Sequence, residues 1–129
     1  MTLQNITPIL RIFSVEKATA FYIDFLGFQL DWQHRFGENF PLYLQISKDQ
    51  CLLHLSEHHG DASPGSSIRI HCDDIQQYHH MLAAKDYQFA KPELIQTPWD
   101  TQEFQMTDPF FNRLIFWQNL AASPSNQYP

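Results

Sequence analysis

The sequence predicts an α+β fold of two paired βαβββ modules, whose strands would form a curved eight-stranded sheet with a concave cleft. In each half of the chain, a short apolar strand is followed by an amphipathic helix and three further strands. The same order returns after about 60 residues, which is typical of a duplicated supersecondary unit. Hydrophobic residues make up 43% of the 129 residues and only 17% are charged, so the chain can bury a core.

The first module is predicted over about residues 5–57. It opens with an apolar strand at Thr7–Phe13, after which Ser14 offers a side-chain oxygen to cap a helix. Apolar residues at helical spacing predict that this helix runs to Leu26, where Gly27 ends it. Three strands should follow. Alternation in the first of them places Phe28, Leu30, Trp32, His34 and Phe36 on one face, and the other two cover Leu42–Ile46 and Cys51–Ser56.

The second module is predicted over about residues 66–118, after a polar connection at Glu57–Gly65. Its first strand covers Ser66–Cys72, and Asp74 can cap a helix that runs through Leu82. The modules should form a single domain over residues 1–119, followed by a flexible tail at 120–129 that lacks hydrophobic periodicity. The remaining strands of the second module are expected around Leu94–Thr97, Gln102–Thr107 and Arg113–Gln118.

The charge balance and the N-terminal sequence limit which binding partners and which cellular compartment are expected. Eight Lys and Arg residues against 14 Asp and Glu residues give a formal charge of −6, which disfavours nucleic acid and suits a cationic small molecule. The N-terminus lacks a signal-peptide pattern, and no apolar run reaches the ~18 residues of a membrane span. Cys51 and Cys72 have no zinc-site spacing and are expected to be reduced thiols. A cytoplasmic protein without a membrane partner is therefore expected.

Three motifs carry a family resemblance that covers about residues 5–118. The helix end Phe21–Phe28 resembles the signature FYxxxLGF, and Pro98–Phe104 with Thr107–Phe116 resembles the ending PWG…EF…DPxGNxLxF, both of the vicinal oxygen chelate superfamily. The segment Leu53–Asp61 resembles that superfamily's glyoxalase/bleomycin-resistance proteins. The resemblance implies paired βαβββ modules and a homodimer whose clefts involve both subunits.

The resemblance also identifies the positions at which metal-binding members hold a divalent cation. These positions correspond to Thr7, His54, Ser67 and Ile115 in this chain. A catalytic site needs about three ligands drawn from His, Asp, Glu and Cys, and this set supplies one imidazole. The resemblance therefore implies no metal, no cofactor and no catalytic residue, and it favours metal-free ligand binding.

Six side chains are candidate ligand-binding residues of the expected cleft. In drug-binding members an aromatic residue near Trp99 stacks on a flat part of the drug, and core packing is the alternative. Arg69 could bind an anionic group or pair with Glu103. For Phe36 and Phe40 the alternative is packing in the dimer. For His54 it is a hydrogen-bonded histidine of the strand, and for Trp117 it is core packing. The six residues are Phe36, Phe40, His54, Arg69, Trp99 and Trp117.

The leading hypothesis is a metal-free protein resembling bleomycin-resistance proteins. It would sequester a drug or metabolite, such as a cationic glycopeptide drug, in the cleft of a homodimer and so confer antibiotic resistance. The alternative is a metal-dependent lyase or dioxygenase that uses His54, and the third hypothesis is a dimer with a structural role and no ligand. Asp100 and Phe111 stand where the family motifs have glycine, and a positive φ at Phe111 would strain the backbone.

Overall fold

The computed structural model describes residues 1–87 and 91–120, and most of the predicted tail, from residue 121 onward, lies outside them. The elements occur in the predicted order. Among the described residues, no helix is long and apolar enough to cross a membrane. The elements are β1 (Ile9–Arg11), α1 (Val15–Ala18) with a π-helical continuation at Thr19–Phe25, β2 (Gln29–Arg35), β3 (Leu42–Lys48), β4 (Cys51–Ser56), β5 (Ser67–His71), α2 (Ile75–Ala84), β6 (Ile95–Gln96), β7 (Thr101–Thr107) and β8 (Arg113–Asn119).

Strand pairing repeats in the two halves of the chain. The first sheet has the order β1-β4-β3-β2 and the second has the order β5-β8-β7-β6. In each sheet the first strand of the half pairs in parallel with its last strand, and the other neighbours are antiparallel. Each half places its helix between its first and second strands. The α+β fold class with two βαβββ modules is therefore confirmed.

The chain divides into two compact units. Unit 1 comprises Met1–Ser66 and Asp108–Asn112, and unit 2 comprises Ser67–Thr107 and Arg113–Pro129. The segment Asp108–Asn112 belongs to unit 1 because its side chains form hydrogen bonds with residues of that unit. Tyr22 Oη donates to Asp108 Oδ2 at 2.6 Å, and Asn112 Nδ2 donates to the carbonyl oxygen of Arg11 at 2.8 Å.

In unit 1, the predicted helix start and end are both present. Lys17 N–H donates to Ser14 Oγ at 3.2 Å, and Gly27 follows the helix with a φ of 87°, which a residue with a Cβ adopts at a cost. The helix buries its apolar side, and β3 and β4 bury alternate residues, so these surfaces form the core of the unit. The largest fully buried side chains of unit 1 are Leu10, Ile12, Phe21, Tyr22, Leu26, Ile46, Leu53 and Leu55.

In unit 2, α2 begins at its predicted cap, where Gln77 N–H donates to Asp74 Oδ1 at 3.2 Å. Tyr78 on this helix contacts the rings of Phe104 and Phe116, whose centroids lie 5.0 Å apart in a stacked arrangement. These aromatic contacts bury one face of the second sheet. The opposite face carries Arg69, Glu103 and Trp117 among others, because residues that pair across strands share a face.

Strand β2 departs from the strict alternation predicted for it. Leu30 pairs with the buried Ile46, whereas Trp32 pairs with Gln45, so Asp31 forms a β-bulge between them. Because Ile46 and Gln45 are adjacent in β3, their partners lie on opposite faces of the sheet. The prediction that Leu30 and Trp32 share a face is therefore wrong. The extra residue turns the indole of Trp32 away from the core face.

Candidate functional site

In unit 1, five side chains form what we call the His54 cluster: Asp31, Trp32, Tyr43, Gln45 and His54. They come from three adjacent strands, β2, β3 and β4, in which Gln45 is paired with both Trp32 and His54. The alternation of β3 buries Leu44 and Ile46 and turns Tyr43 and Gln45 to the other face. The bulge adds Asp31 and Trp32 to that face.

A chain of hydrogen bonds runs through the His54 cluster. Tyr43 Oη lies 2.6 Å from His54 Nδ1, and His54 Nε2 lies 2.9 Å from Gln45 Oε1. Gln45 Nε2 in turn donates to Asp31 Oδ2 at 3.1 Å, and Ser47 Oγ donates to Asp31 Oδ1 at 2.9 Å. The hydrogen bond from Gln45, followed by that from Ser47, holds the pKa of Asp31 below its ordinary value, so this carboxyl is ionised at neutral pH. Partial burial lowers the pKa of His54, which favours the neutral imidazole.

The rings of the His54 cluster pack against one another. Trp32 stacks on Tyr43 with an interplanar angle of 13° and centroids 6.1 Å apart, and the ring of His54 lies 5.4 Å from Trp32 in an edge contact. Trp32 nevertheless remains 44% exposed. An exposed indole face beside an ionised carboxylate can bind an organic cation, because both groups attract positive charge.

The positions at which relatives hold a metal do not fit a divalent cation in this chain. Both ring nitrogens of His54 are engaged, as described above. The hydroxyl of Ser67 accepts a hydrogen bond from Arg113 Nε at 3.0 Å, Ile115 has no donor atom, and Thr7 precedes β1. In residues 1–87 and 91–120, no group of three or more His, Cys, Asp or Glu side chains could hold a metal ion. No chemistry is therefore assigned to a metal at these positions.

In unit 2, the carboxylate of Glu103 organises a second group of side chains, which we call the Glu103 cluster: Arg69, Trp99, Thr101, Glu103 and Trp117. Glu103 is only 7% exposed and accepts hydrogen bonds at Oε2 from Arg69 Nη2 at 2.8 Å and from Thr101 Oγ1 at 2.8 Å. Trp99 Nε1 donates to the same oxygen at 3.3 Å. The Arg69 guanidinium also lies over the ring of Trp117, 5.5 Å from its centroid.

This arrangement fixes the charges and the exposed ring of the Glu103 cluster. The hydrogen bond from Arg69 is the main cause that lowers the pKa of Glu103, and the same bond raises the pKa of Arg69. Of the two alternatives considered for Arg69, the structure shows the pairing with Glu103. Trp99 is 63% exposed, so the alternative of core packing is wrong for this residue. Its indole N–H is held by Glu103 while most of the residue stays exposed, which suits a stacking surface.

The two candidate phenylalanines lie in unit 1. Phe36 is 74% exposed, and its ring meets His34 at 4.6 Å and His58 at 6.1 Å in edge contacts. Phe40 is 55% exposed and approaches Gly37, where an added Cβ would lie 3.7 Å from the ring. The structure thus places Phe36, Phe40 and His54 in unit 1 and Arg69, Trp99 and Trp117 in unit 2.

Asp31, Tyr43 and Gln45 were not predicted as site residues from the sequence. A signal for two of them was present, because Tyr43 and Gln45 alternate with three leucine and isoleucine residues of β3 and must face away from the core. No such signal exists for Asp31. Its position depends on a bulge that β2 adopts only in register with β3.

Comparisons with known proteins agree with this fold. A family model described as "Glyoxalase superfamily protein" matches residues 1–122, and no curated protein matches the chain. A bleomycin-binding protein complexed with bleomycin is similar in structure, with a TM-score of 0.72 and 18% identity over 91% of this chain and 99% of that chain. A bleomycin resistance determinant encoded on the transposon Tn5 has a TM-score of 0.69 and 20% identity over 91% and 98% of the two chains. TnmS3, an antibiotic binding protein from Streptomyces sp. CB03234, has a TM-score of 0.72 and 20% identity over 95% and 99%.

Proposed function

Because the chain belongs to the glyoxalase superfamily, we propose that it binds a small organic molecule and sequesters it without changing it chemically. The similar structures named above include a bleomycin-binding protein and an antibiotic binding protein, and they support a drug or a drug-like metabolite as the ligand. The net charge of −6 favours a cationic ligand, since it attracts such a molecule at long range.

The observation that carries this proposal is the anchored indole of Trp99. Its N–H donates to Glu103, a buried carboxylate that also binds Arg69 and Thr101, while 63% of the residue stays exposed. A large aromatic ring that is held in place and yet exposed has no role in core stability. It is suited to stacking on a planar group, because little side-chain freedom is lost when the ligand binds.

We propose that binding requires no metal. The donor set at the four family positions contains a single imidazole, and that imidazole already uses both nitrogens within the His54 cluster. Elemental analysis of protein purified without added metal provides the test. Near-stoichiometric Ni, Zn, Fe or Mn that disappears in His54→Ala would favour the metal-dependent enzyme instead.

We further propose that the chain forms a homodimer whose clefts bind the ligand. In support, β2 lies at the edge of its sheet and every one of its residues is exposed, including Leu30, which lies on the core face and is 44% exposed. A long exposed edge strand with large apolar side chains is normally covered by another chain or element. Sedimentation equilibrium is expected to give twice the chain mass, and a monomer at the concentrations used for binding would contradict the dimer.

Calorimetric titration with bleomycin tests the proposed ligand class. We expect micromolar binding by the unmodified protein and a loss of about tenfold or more in Trp99→Ala, since the ring contact and the apolar area that it buries together contribute about 1.4 kcal/mol or more. Trp99→Phe should keep most of the affinity because it retains a planar ring. Phe111→Ala is the matched control, as it removes an exposed ring outside the Glu103 cluster.

The outcomes separate the parts of the proposal. Absence of heat with the unmodified protein would remove bleomycin-type drugs as ligands. Equal affinity in the unmodified protein and in Trp99→Ala would show that the indole does not stack on the drug, whatever the drug contacts instead.

A further inference from the structure

The hydrogen bonds of the His54 cluster can be assigned a direction from chemistry alone. The ionised carboxylate of Asp31 only accepts, so the amide nitrogen of Gln45 must face it at 3.1 Å. The amide oxygen of Gln45 then faces His54 Nε2 at 2.9 Å, and this nitrogen must carry the proton. In the neutral imidazole Nδ1 is therefore bare, and Tyr43 Oη donates its hydrogen to it at 2.6 Å.

The direction of these hydrogen bonds determines what Tyr43 and Asp31, at the two ends of the series, offer to a ligand. The hydroxyl hydrogen of Tyr43 is used by His54, so its oxygen has only lone pairs left for another molecule. At the other end, Gln29 and Ser47 use both lone pairs of Asp31 Oδ1, and Gln45 uses one lone pair of Oδ2, so Oδ2 keeps a lone pair for another donor. Both ends are therefore hydrogen-bond acceptors, and one of them carries a negative charge.

Three side-chain donors hold the carboxylate of Asp31, although the residue itself is exposed. An exposed carboxylate usually loses side-chain entropy when it binds a cation, and this restraint reduces that loss. The bulge places Asp31 directly beside Trp32, whose indole is backed by Tyr43 and half exposed. The charge and the aromatic face are thus preorganised next to each other.

We propose that the His54 cluster recognises a protonated amine, amidine or guanidine, a cation that donates hydrogen bonds, and discriminates against a cation without N–H groups. This inference deepens the proposed function by naming the chemical group of the ligand that unit 1 binds. A quaternary ammonium could use the indole face of Trp32 but would leave the acceptor at Asp31 without a donor. Acceptors deprived of water and not given a donor reduce affinity.

Two probes of equal charge test this discrimination. Benzamidine and phenyltrimethylammonium each carry one phenyl ring and one positive charge, and only benzamidine has N–H donors. Binding is followed by the indole N–H resonance of Trp32 in NMR titrations, with the resonance assigned from Trp32→Phe. We expect benzamidine to bind about tenfold or more tightly than phenyltrimethylammonium, because charge-assisted hydrogen bonds to a carboxylate are among the stronger ones.

Asp31→Asn should abolish most of this preference by removing the charged acceptor. Asp49→Asn is the matched control: Asp49 is another exposed acid, and its φ of 53° is one that Asn adopts readily. The control should keep the unmodified preference. The comparison of probes in the unmodified protein needs no variant, so a folding defect in Asp31→Asn cannot hide the result.

Equal affinities for the two probes, a preference for phenyltrimethylammonium, or shifts confined to the other indoles would overturn the inference. The bleomycin titration is independent of it, because that experiment depends on Trp99 in unit 2. Drug binding without probe discrimination would leave the proposed function standing and remove the inference. Probe discrimination without drug binding would keep the inference and remove bleomycin-type drugs as the ligand.

Discussion

At the scale of single residues, the two positions that depart from the family motifs both have backbone conformations that favour glycine. Asp100 has a φ of 64° and Phe111 a φ of 70°. Aspartate tolerates this region comparatively well because its short polar side chain can bind the local backbone, whereas phenylalanine does not. Phe111 thus has the positive φ for which backbone strain was expected.

Phe111→Gly is expected to raise the free energy of unfolding by about 0.5–1 kcal/mol. The substitution relieves a left-handed conformation that costs about 1–2 kcal/mol, and part of this gain is offset by the greater chain entropy of glycine. Little packing is lost because Phe111 is 75% exposed. Denaturant unfolding measures the change, and Phe111→Ala, which removes the ring but keeps the Cβ, should not give it. A lower stability in Phe111→Gly would contradict the strain.

The buried pair of Tyr22 and Asp108 predicts a loss of stability in alkali. Burial, followed by the charge of Asp108, raises the pKa of Tyr22 well above its ordinary value of 10.0. The folded protein thus holds this proton more tightly than the unfolded chain does, so the contribution is complete below pH 10 and is lost as the pH rises through the folded pKa.

Tyr22→Phe removes this titration along with the hydrogen bond. At neutral pH it should lower the free energy of unfolding by about 1–3 kcal/mol, since Asp108 loses a donor in a buried site. The difference between the two proteins should shrink above pH 10, as measured by urea unfolding at a series of pH values. A difference that stays constant with pH would contradict the raised pKa.

At the scale of elements, capping residues set where the helices begin, and strand pairing sets the register of the strands. The sequence predicts the caps better than it predicts the pairing. Ser14 and Asp74 both cap the helices that they were expected to cap. The bulge in β2 was not expected, because nothing near Asp31 in sequence is glycine or proline. Its position follows from β3, whose buried residues require Leu30 on the core face.

Asp74→Ala is expected to lower the free energy of unfolding by about 1 kcal/mol through loss of the cap of α2. The first turn of this helix has no other acidic residue, so no neighbour replaces the charge. Thermal unfolding with calorimetry measures the effect. Asp73→Ala is the matched control, since its exposed carboxylate makes only a weak pair with His71 and should change stability little. Equal effects of the two substitutions would contradict the capping role.

At the scale of the whole molecule, the segment Asp108–Asn112 joins parts of unit 1 that are far apart in sequence. Asn112 is fully buried, and its Nδ2 donates both to the carbonyl oxygen of Arg11 at 2.8 Å and to Asp108 Oδ2 at 2.9 Å. Its Oδ1 accepts from the N–H of Ser66 at 3.2 Å. One side chain thus connects the first strand, the last residue of the Met1–Ser66 part of unit 1 and this segment.

Asn112→Ala should lower the free energy of unfolding by about 2–4 kcal/mol, because it removes the hydrogen bonds to the buried carbonyl oxygen of Arg11, to Asp108 and to Ser66 at once. Asn119→Ala, at the exposed end of β8, is the matched control and should have an effect near zero. Denaturant unfolding distinguishes them. A loss below about 1 kcal/mol for Asn112→Ala, within the range of an ordinary surface substitution, would contradict the tethering role.

The sequence by itself determined the α+β class, the repeated βαβββ order, both helix caps and the shortage of metal donors. These features depend on local spacing, turn chemistry and residue type, all of which can be read along the chain. Only the tertiary structure decided that Asp31 and Trp32 lie beside Tyr43 and Gln45, and that Glu103 anchors Trp99. Strand register and side-chain hydrogen bonds join residues far apart in sequence, and their geometry depends on how the strands pack.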